Sequence, residues 1–193
     1  MIVGLILAAG KSERMGRPKT LLPFGEDTIL GAVYKLLKSS SLDAVRVVLG
    51  HRAGEIRKEV GLPDEEVVIN PDYEQGMLSS VKAALRAVRD LKPCGVMLYP
   101  VDHPNISPRV IETLIAGYKT SVKAIVMPVF KGRRGHPVLF GSELFGELLA
   151  APLDIGARHV VRANPDKILE IEVEEPGVVQ DIDTPEDYRR LQT

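Results

Sequence analysis

The sequence is poor in cysteine and in aromatic residues: its 193 residues include one cysteine and no tryptophan, and aromatics make up 5%. A single thiol, Cys94, excludes an internal disulfide and a cysteine-rich metal site, and its apolar neighbours favour a packing role. Basic and acidic side chains nearly cancel, at 25 and 26, which leaves a net charge of −1. Global charge therefore gives no sign of a nucleic-acid or anionic-membrane partner.

Long apolar segments are also missing. No run approaches the roughly 18 residues of a membrane-spanning helix. The N-terminus lacks the charged region and the longer apolar region of a signal peptide. These absences predict a cytoplasmic protein. The length and a hydrophobic content of 45% suit a single domain with a full core.

Short apolar runs alternate with helical patterns along the chain. Several runs are apolar almost throughout, as expected for strands that are covered on both faces. The alternation predicts an α/β fold, with a Rossmann-like, mostly parallel sheet and helices on both faces. The predicted strands are Ile2–Leu7, Ala44–Leu49, Glu66–Ile69, Gly95–Tyr99, Lys123–Phe130, Val138–Phe140, Ile168–Val173 and Val178–Ile182. The predicted helices are Thr28–Leu37, Ala53–Val60, Met77–Leu91, Pro108–Lys119, Ser142–Ala150, Ile155–Arg162 and Thr184–Leu191.

The loop that follows the first strand, ILAAGKSERMGRPK, combines small residues with positive charge. In open α/β sheets ligands bind beyond the carboxyl ends of the strands. Small side chains let a ligand approach the backbone N–H groups, and Gly10 and Gly16 can take positive φ. Arg14 can bind a polyphosphate as a fork and Lys19 as a point charge. The spacing matches neither a P-loop nor a dinucleotide fingerprint, and a solvated basic turn is the alternative interpretation.

A carboxylate follows the fourth predicted strand in Asp102-His103-Pro104. At a strand end, opposite a basic loop, Asp102 could hold Mg²⁺ together with phosphate oxygens. A helix cap or an ordinary surface aspartate would explain the same residue. For His103 a structural or supporting role is favoured.

The late segment QDIDTPED offers a second set of carboxylates. Period-two alternation places Asp181 and Asp183 on one strand face, so one of them could be a second metal ligand. Thr184 and Asp187 have the spacing of a capping box, which could explain the segment without a metal.

Two further polar stretches follow predicted strands. In the segment from Asn70 to Ser80, residues Gly76, Ser79 and Ser80 place N–H and hydroxyl groups at a helix start, suited to a base or a phosphate. Ordinary helix capping is the alternative. Residues 132–137, GRRGHP, form a second basic turn, in which His136 could be functional or structural.

The motifs together resemble a known family. LAAGKSERMGRPK resembles the nucleotide-binding signature of MobA-like nucleotidyltransferases, and the similarity extends along nearly the whole chain. NPDYEQGMLSSVKAAL, GHPVLF, DIGAR at 154–158 and DIDTPEDY look like the molybdenum cofactor cytidylyltransferase subgroup. The family commonly has Gln or Met where this chain has His103. That departure bears on the acceptor more than on the nucleotide.

The resemblance implies a nucleotide-diphospho-sugar transferase type of fold, with residues 1–104 as a nucleotide-binding half and 105–193 as an acceptor-binding half. It implies Mg²⁺ or Mn²⁺ on Asp102 and Asp183, and catalytic roles for Arg14, Lys19 and Asp102. The implied nucleotide site is Leu7, Ala8, Ala9, Gly10, Arg14, Lys19, Asn70, Gly76, Ser79 and Ser80. The implied acceptor side is Arg134, His136, Asp154 and Asp181.

These roles predict transfer of CMP from CTP to the phosphate of molybdopterin, with release of pyrophosphate and with a molybdoenzyme as a recipient of the product. Four alternatives stay open: GTP or another triphosphate, another phosphorylated acceptor, a non-catalytic cofactor-binding factor, or an oxidoreductase on the same fold. The absence of G-x-G-x-x-G speaks against a Rossmann-type nicotinamide site.

Overall fold

The computed structural model describes residues 1–191, with Arg14 described by its backbone alone. Within this range ten strands and seven α-helices form. The strands are β1 (Ile2–Leu7), β2 (Pro23–Phe24), β3 (Asp27–Thr28), β4 (Ala44–Leu49), β5 (Val67–Ile69), β6 (Gly95–Pro100), β7 (Ile125–Phe130), β8 (Arg133–Arg134), β9 (Val138–Gly141) and β10 (Ile168–Glu172). The helices are α1 (Ile29–Lys38), α2 (Ala53–Val60), α3 (Met77–Ala87), α4 (Pro108–Thr120), α5 (Phe145–Ala150), α6 (Arg158–Ala163) and α7 (Pro185–Leu191).

The main sheet has the strand order β10-β7-β9-β6-β1-β4-β5. The short strand β8 pairs with the carboxyl end of β7. Strand β1 pairs in parallel with β4 and with β6, and β4 pairs in parallel with β5. Strand β9 runs antiparallel to both β6 and β7. The predicted fold, a mostly parallel sheet in one domain, is confirmed.

Each face of the sheet is covered by its own hydrophobic core. All six residues of β1 are buried, and alternate side chains of the strand face opposite cores, as strand geometry requires. Apolar faces of α1, α2 and α4 pack on one side, and those of α3, α5 and α6 pack on the other. No helix within residues 1–191 is both long enough and apolar enough to cross a membrane.

Several sequence predictions differ from the structure. Helices α5 and α6 begin at Phe145 and Arg158, three residues after the predicted starts, and the short strands β2, β3 and β8 were not predicted. Helix α3 ends at Ala87, and a separate 3-10 turn covers Arg89–Leu91. The predicted strand Val178–Ile182 was wrong: Pro176–Val179 forms a 3-10 turn, and an extended segment follows it. Gly177 lies so close to the chain before α4 that a Cβ atom would come within 1.8 Å of the Asn105 carbonyl oxygen. The alternating apolar residues of this segment fill the core from a loop.

Candidate functional site

A cleft of about 470 Å³ opens where the carboxyl ends of β1 and β6 meet. Its position agrees with the rule that ligands of open α/β sheets bind at this edge. The described residues that line it are Leu7, Ala8, Ala9, Gly10, Lys11, Ser12, Glu13, Lys19, Thr20, Tyr73, Glu74, Gly76, Met77, Ser80, Val101, Asp102 and Asp183. Most of the predicted nucleotide and metal residues therefore lie around one cavity. The side chain of Arg14, also predicted to bind phosphate, lies outside the described part of the chain.

The first loop is held against the sheet by backbone hydrogen bonds. The Ala8 N–H donates to the Val48 carbonyl at 2.9 Å, and the Ala9 carbonyl accepts from the His51 N–H at 3.1 Å. Gly16 takes positive φ (69°), as expected, but Gly10 is not among the residues with positive φ; Ser12 takes it instead, at 54°. A Cβ atom at Gly10 would meet nothing within 4 Å. Gly10 therefore borders open space in the cleft rather than making a turn.

Lys19 joins the two predicted metal ligands. Its Nζ lies 2.8 Å from Oδ1 of Asp183 and 3.6 Å from Oδ2 of Asp102, and it also donates to the Ile182 carbonyl at 2.7 Å. The lysine side chain is only 13% exposed. The Ile182 N–H donates to the Asp102 carbonyl at 2.9 Å, which fixes the late segment beside the loop after β6. Two carboxylates from distant parts of the chain thus share one ammonium group.

Helix capping near Asp183 is carried by other residues. Oδ2 of Asp187 accepts hydrogen bonds from the Thr184 N–H at 2.8 Å and from the Thr184 hydroxyl at 2.7 Å. The Asp187 N–H donates to the Thr184 hydroxyl in return, at 3.2 Å, so the predicted capping box is present. These hydrogen bonds hold the pKa of Asp187 below its usual value. The capping interpretation explains Thr184 and Asp187 and leaves the Asp183 carboxylate directed at Lys19.

The carboxylates fit a hard divalent cation. Oδ1 of Asp102 is buried without a hydrogen-bond partner among the described residues, and its other oxygen faces Lys19. Within residues 1–191 no group of three or more His, Cys, Asp or Glu side chains is placed to hold a metal. Magnesium commonly takes only one or two carboxylates and completes its shell with phosphate oxygens and water. Asp102 and Asp183 match that ligand set.

A second ion pair in the cleft was not predicted from the sequence. Lys11, in the first loop, pairs with Glu74 in the 3-10 turn Tyr73–Gln75, and its Nζ lies 6.0 Å from the centre of the Tyr73 ring. The hydrogen bond and charge of Glu74 raise the pKa of Lys11, and Lys11 lowers the pKa of Glu74. Lys11 was noticeable as one of the loop cations, but nothing in the sequence indicated its partner.

The side chains of Asn70 and Ser79 form hydrogen bonds within the protein, and neither residue is among the described residues that line the cleft. The buried Asn70 amide donates to the hydroxyls of Ser79 at 2.8 Å and Ser80 at 3.0 Å, while its oxygen accepts from the Asp72 N–H at 3.0 Å. The Ser79 hydroxyl donates to the Gly76 carbonyl at 2.7 Å. This network ties the end of β5 to the start of α3. Of the four residues predicted in this segment, Gly76 and Ser80 border the cavity.

The predicted acceptor residues are spread over a wider area. The His136 ring lies 5.1 Å from the His103 ring, and His103 is buried with Nδ1 3.2 Å from the Gly177 carbonyl oxygen. Burial and the neighbouring His103 lower the pKa of His136 to about 4, although Asp181 opposes the shift.

The other three predicted acceptor residues, Arg134, Asp154 and Asp181, are exposed. Arg134 donates to Glu170 of β10 at 2.7 Å, and Asp154 lies on the surface before α6. The described cleft lining includes none of Arg134, His136, Asp154 and Asp181, so their acceptor role stays a prediction.

A mostly parallel sheet with this cleft is the fold of the nucleotide-diphospho-sugar transferases. The family model for the MobA-like NTP transferase domain matches residues 4–168, and the chain therefore belongs to that family.

Among curated proteins, the chain is 30% identical over 187 residues to a molybdenum cofactor cytidylyltransferase of Escherichia coli, covering 95% of this chain and 92% of that one. It is 28% identical to a nicotine blue oxidoreductase of Paenarthrobacter nicotinovorans, over 98% of this chain and 96% of that one.

Among solved structures, the Mycobacterium tuberculosis protein Rv0371c superposes with a TM-score of 0.85 at 32% identity, covering 98% of this chain and 96% of that one. A structure of the same protein in complex with manganese gives a TM-score of 0.80 at 30% identity, with 98% and 97% coverage.

Proposed function

We propose that the protein transfers CMP from CTP to the terminal phosphate of molybdopterin and releases pyrophosphate. The observation that carries the proposal is the convergence of Lys19, Asp102 and Asp183 in a cleft whose wall is the small-residue loop after β1. The similarity to the cytidylyltransferase of Escherichia coli favours CTP and molybdopterin over other substrates.

The reaction requires positioning and charge neutralisation rather than covalent catalysis by the protein. An oxygen of the acceptor phosphate forms a bond to the α-phosphorus of CTP. The bond from that phosphorus to the bridging oxygen breaks, and pyrophosphate leaves with the electron pair. The acceptor phosphate is already anionic near neutral pH, so no general base is needed.

The chain's own residues have separable tasks. The loop from Ala8 to Gly10 lets the nucleotide approach the backbone, and Lys19 brings positive charge to the phosphates. Asp102 and Asp183 would hold Mg²⁺ or Mn²⁺, which neutralises phosphate charge when it is bound. Tyr73, Gly76, Met77 and Ser80 border the remaining wall of the cleft, where the base and ribose would lie.

Thermal unfolding in the presence of each nucleotide tests the nucleotide half of the proposal. A ligand at about a hundred times its dissociation constant stabilises the folded state by roughly 2.7 kcal/mol, which raises Tm by about 5–10 °C at this chain length. A shift selective for CTP and dependent on Mg²⁺ supports the proposal, and a shift selective for GTP would change the product. A shift with NADPH alone would favour the oxidoreductase of the nicotine blue type instead.

A further inference from the structure

The Lys19 ammonium is paired with carboxylates, although its proposed task is to bind phosphate. The ammonium is turned away from open solvent: it donates hydrogen bonds to the Asp183 carboxylate and the Ile182 carbonyl and forms an ion pair with Asp102 at 3.6 Å. The backbone of Lys19 is fixed, because its N–H donates to the Ser12 hydroxyl at 3.0 Å. Its side chain, by contrast, is a flexible four-carbon stem that carries a point charge and can turn without moving the loop.

From this geometry we infer that Lys19 is the internal counter-ion of Asp102 and Asp183, and that a divalent cation must compete with it for these carboxylates. The inference rests on the proposed function and concerns the order in which the same site is filled. Lys19 is then a positioning residue before the nucleotide binds, and it contacts phosphate only afterwards.

Charge balance supports the inference. Both carboxylates lie within 4 Å of a single ammonium, and this positive charge offsets the repulsion between them in a partly buried site. A divalent cation that enters while Lys19 remains there is attracted by the two carboxylates and repelled by the ammonium. Like charges about 4 Å apart repel, so the lysine weakens metal binding.

The triphosphate reverses this balance. Its negative charges attract the Lys19 ammonium towards the first loop and supply oxygen ligands to the metal at the same time. Metal and nucleotide therefore strengthen each other's binding, and the coupling is reciprocal by thermodynamic linkage. Metal alone binds weakly because the carboxylates are already paired.

Calorimetric titration with MnCl₂ in the absence of nucleotide tests the inference directly. Lys19→Met removes the ammonium, and we expect it to bind Mn²⁺ at least about tenfold more tightly than the wild-type protein. Lys19→Arg keeps the positive charge and should keep the weak binding. Lys35→Met is the matched control, because Lys35 pairs with Asp27 at 2.7 Å on the surface and its loss changes the net charge equally.

The same titration with a CTP analogue whose α- and β-phosphorus atoms are joined by methylene measures the coupling. In the wild-type protein the analogue should tighten Mn²⁺ binding by at least about tenfold, and in Lys19→Met by much less. Equal Mn²⁺ affinity of the wild-type protein and Lys19→Met without nucleotide would overturn the inference. That result would leave CMP transfer untouched, since turnover is measured separately.

A measurement on the wild-type protein covers the case in which Lys19→Met fails to fold. Acetic anhydride labelling, read by mass spectrometry, reports the exposure of each lysine amine. Added MnCl₂ should increase the labelling of Lys19 by about threefold or more, because the ammonium leaves its buried pairing, and should leave Lys35 unchanged. Labelling of Lys19 that does not respond to Mn²⁺ would show that lysine and metal do not compete.

Discussion

The ammonium of Lys19 and the carboxylate of Asp183 lie 2.8 Å apart although 164 residues separate them in the chain. This pair joins the loop after β1 to the segment before α7, and both residues line the cleft. It also places Asp183 beside Asp102, which comes from the loop after β6. The candidate metal site therefore depends on three segments that only the folded chain brings together.

Replacing Asp183 by Asn should reduce pyrophosphate release from CTP by at least about a hundredfold at saturating Mg²⁺, because it removes one carboxylate that would hold the cation, and the cation is what would neutralise phosphate charge. Asp187→Asn is the matched control: it weakens the cap on α7 and should lower stability but retain most of the turnover. Steady-state rates of both variants, beside their urea unfolding curves, separate the two roles. Normal turnover by Asp183→Asn would remove that residue from the site.

Glu74→Gln should lower the KM for CTP by about two- to fivefold, because it removes a negative charge from the cleft and frees Lys11 for the triphosphate. The effect should shrink at high salt, where exposed charges are screened. Glu55→Gln, which breaks the ion pair of Glu55 on α2 with the preceding Arg52, controls for the change in net charge. An unchanged or higher KM in Glu74→Gln would mean that the pair holds the cleft in its binding shape.

Asn70→Ala should lower the free energy of unfolding by about 2–4 kcal/mol, because it leaves the buried Ser79 and Ser80 hydroxyls and the Asp72 N–H without their amide partner. Asn164→Ala is the control, since that amide is partly exposed and its contacts can be replaced by water. Urea unfolding measures both variants. A loss in Asn70→Ala no larger than that in Asn164→Ala would contradict the importance of this network.

The stability of the protein should depend on the neutral form of His136. The pKa of His136 is about 4 in the folded protein and 6.5 ordinarily, chiefly because burial disfavours the charged ring. As pH falls from about 6.5 towards 4, the unfolded chain takes up a proton that the folded chain does not. The free energy of unfolding should therefore fall across this window, by roughly 3 kcal/mol for this residue.

Urea unfolding at pH 7 and pH 4.5 checks this dependence. His136→Gln should lose less stability over the interval than the wild-type protein, whereas His159→Gln, at an exposed position on α6, should lose as much. Identical losses in all three proteins would show that His136 does not carry the effect.

The fold was largely predictable because its signals are local. The bounds of β1, β4 and α2 agree with the sequence prediction, since buried parallel strands are continuous apolar runs and amphipathic helices have a clear period. The apolar alternation of Val178–Ile182 misled, because a buried loop can place its side chains in the core as a strand does.

The sequence allowed the residues of the candidate site to be named, but it did not indicate which of them contact one another. The residues of the first loop, Asp102 and Asp183 could be named because each follows a strand or belongs to a recognisable motif. The lysine between the carboxylates and the pair of Lys11 with Glu74 depend on which loops meet, and local patterns carry no such information. Local patterns also gave no sign of the internal hydrogen bonds by which the buried Asn70 amide joins the end of β5 to the start of α3.

The most direct test follows the α-phosphorus itself. The purified protein is incubated with Mg²⁺, molybdopterin and CTP labelled at the α-phosphorus, and the products are separated. Nucleotidyl transfer predicts that the label appears in a pterin dinucleotide with one pyrophosphate for each label transferred, and that Asp102→Asn abolishes both. The assay is repeated with each of the other triphosphates labelled in the same way. If the label always stays in the triphosphate or appears only as the free nucleoside monophosphate, the result contradicts transfer to this acceptor.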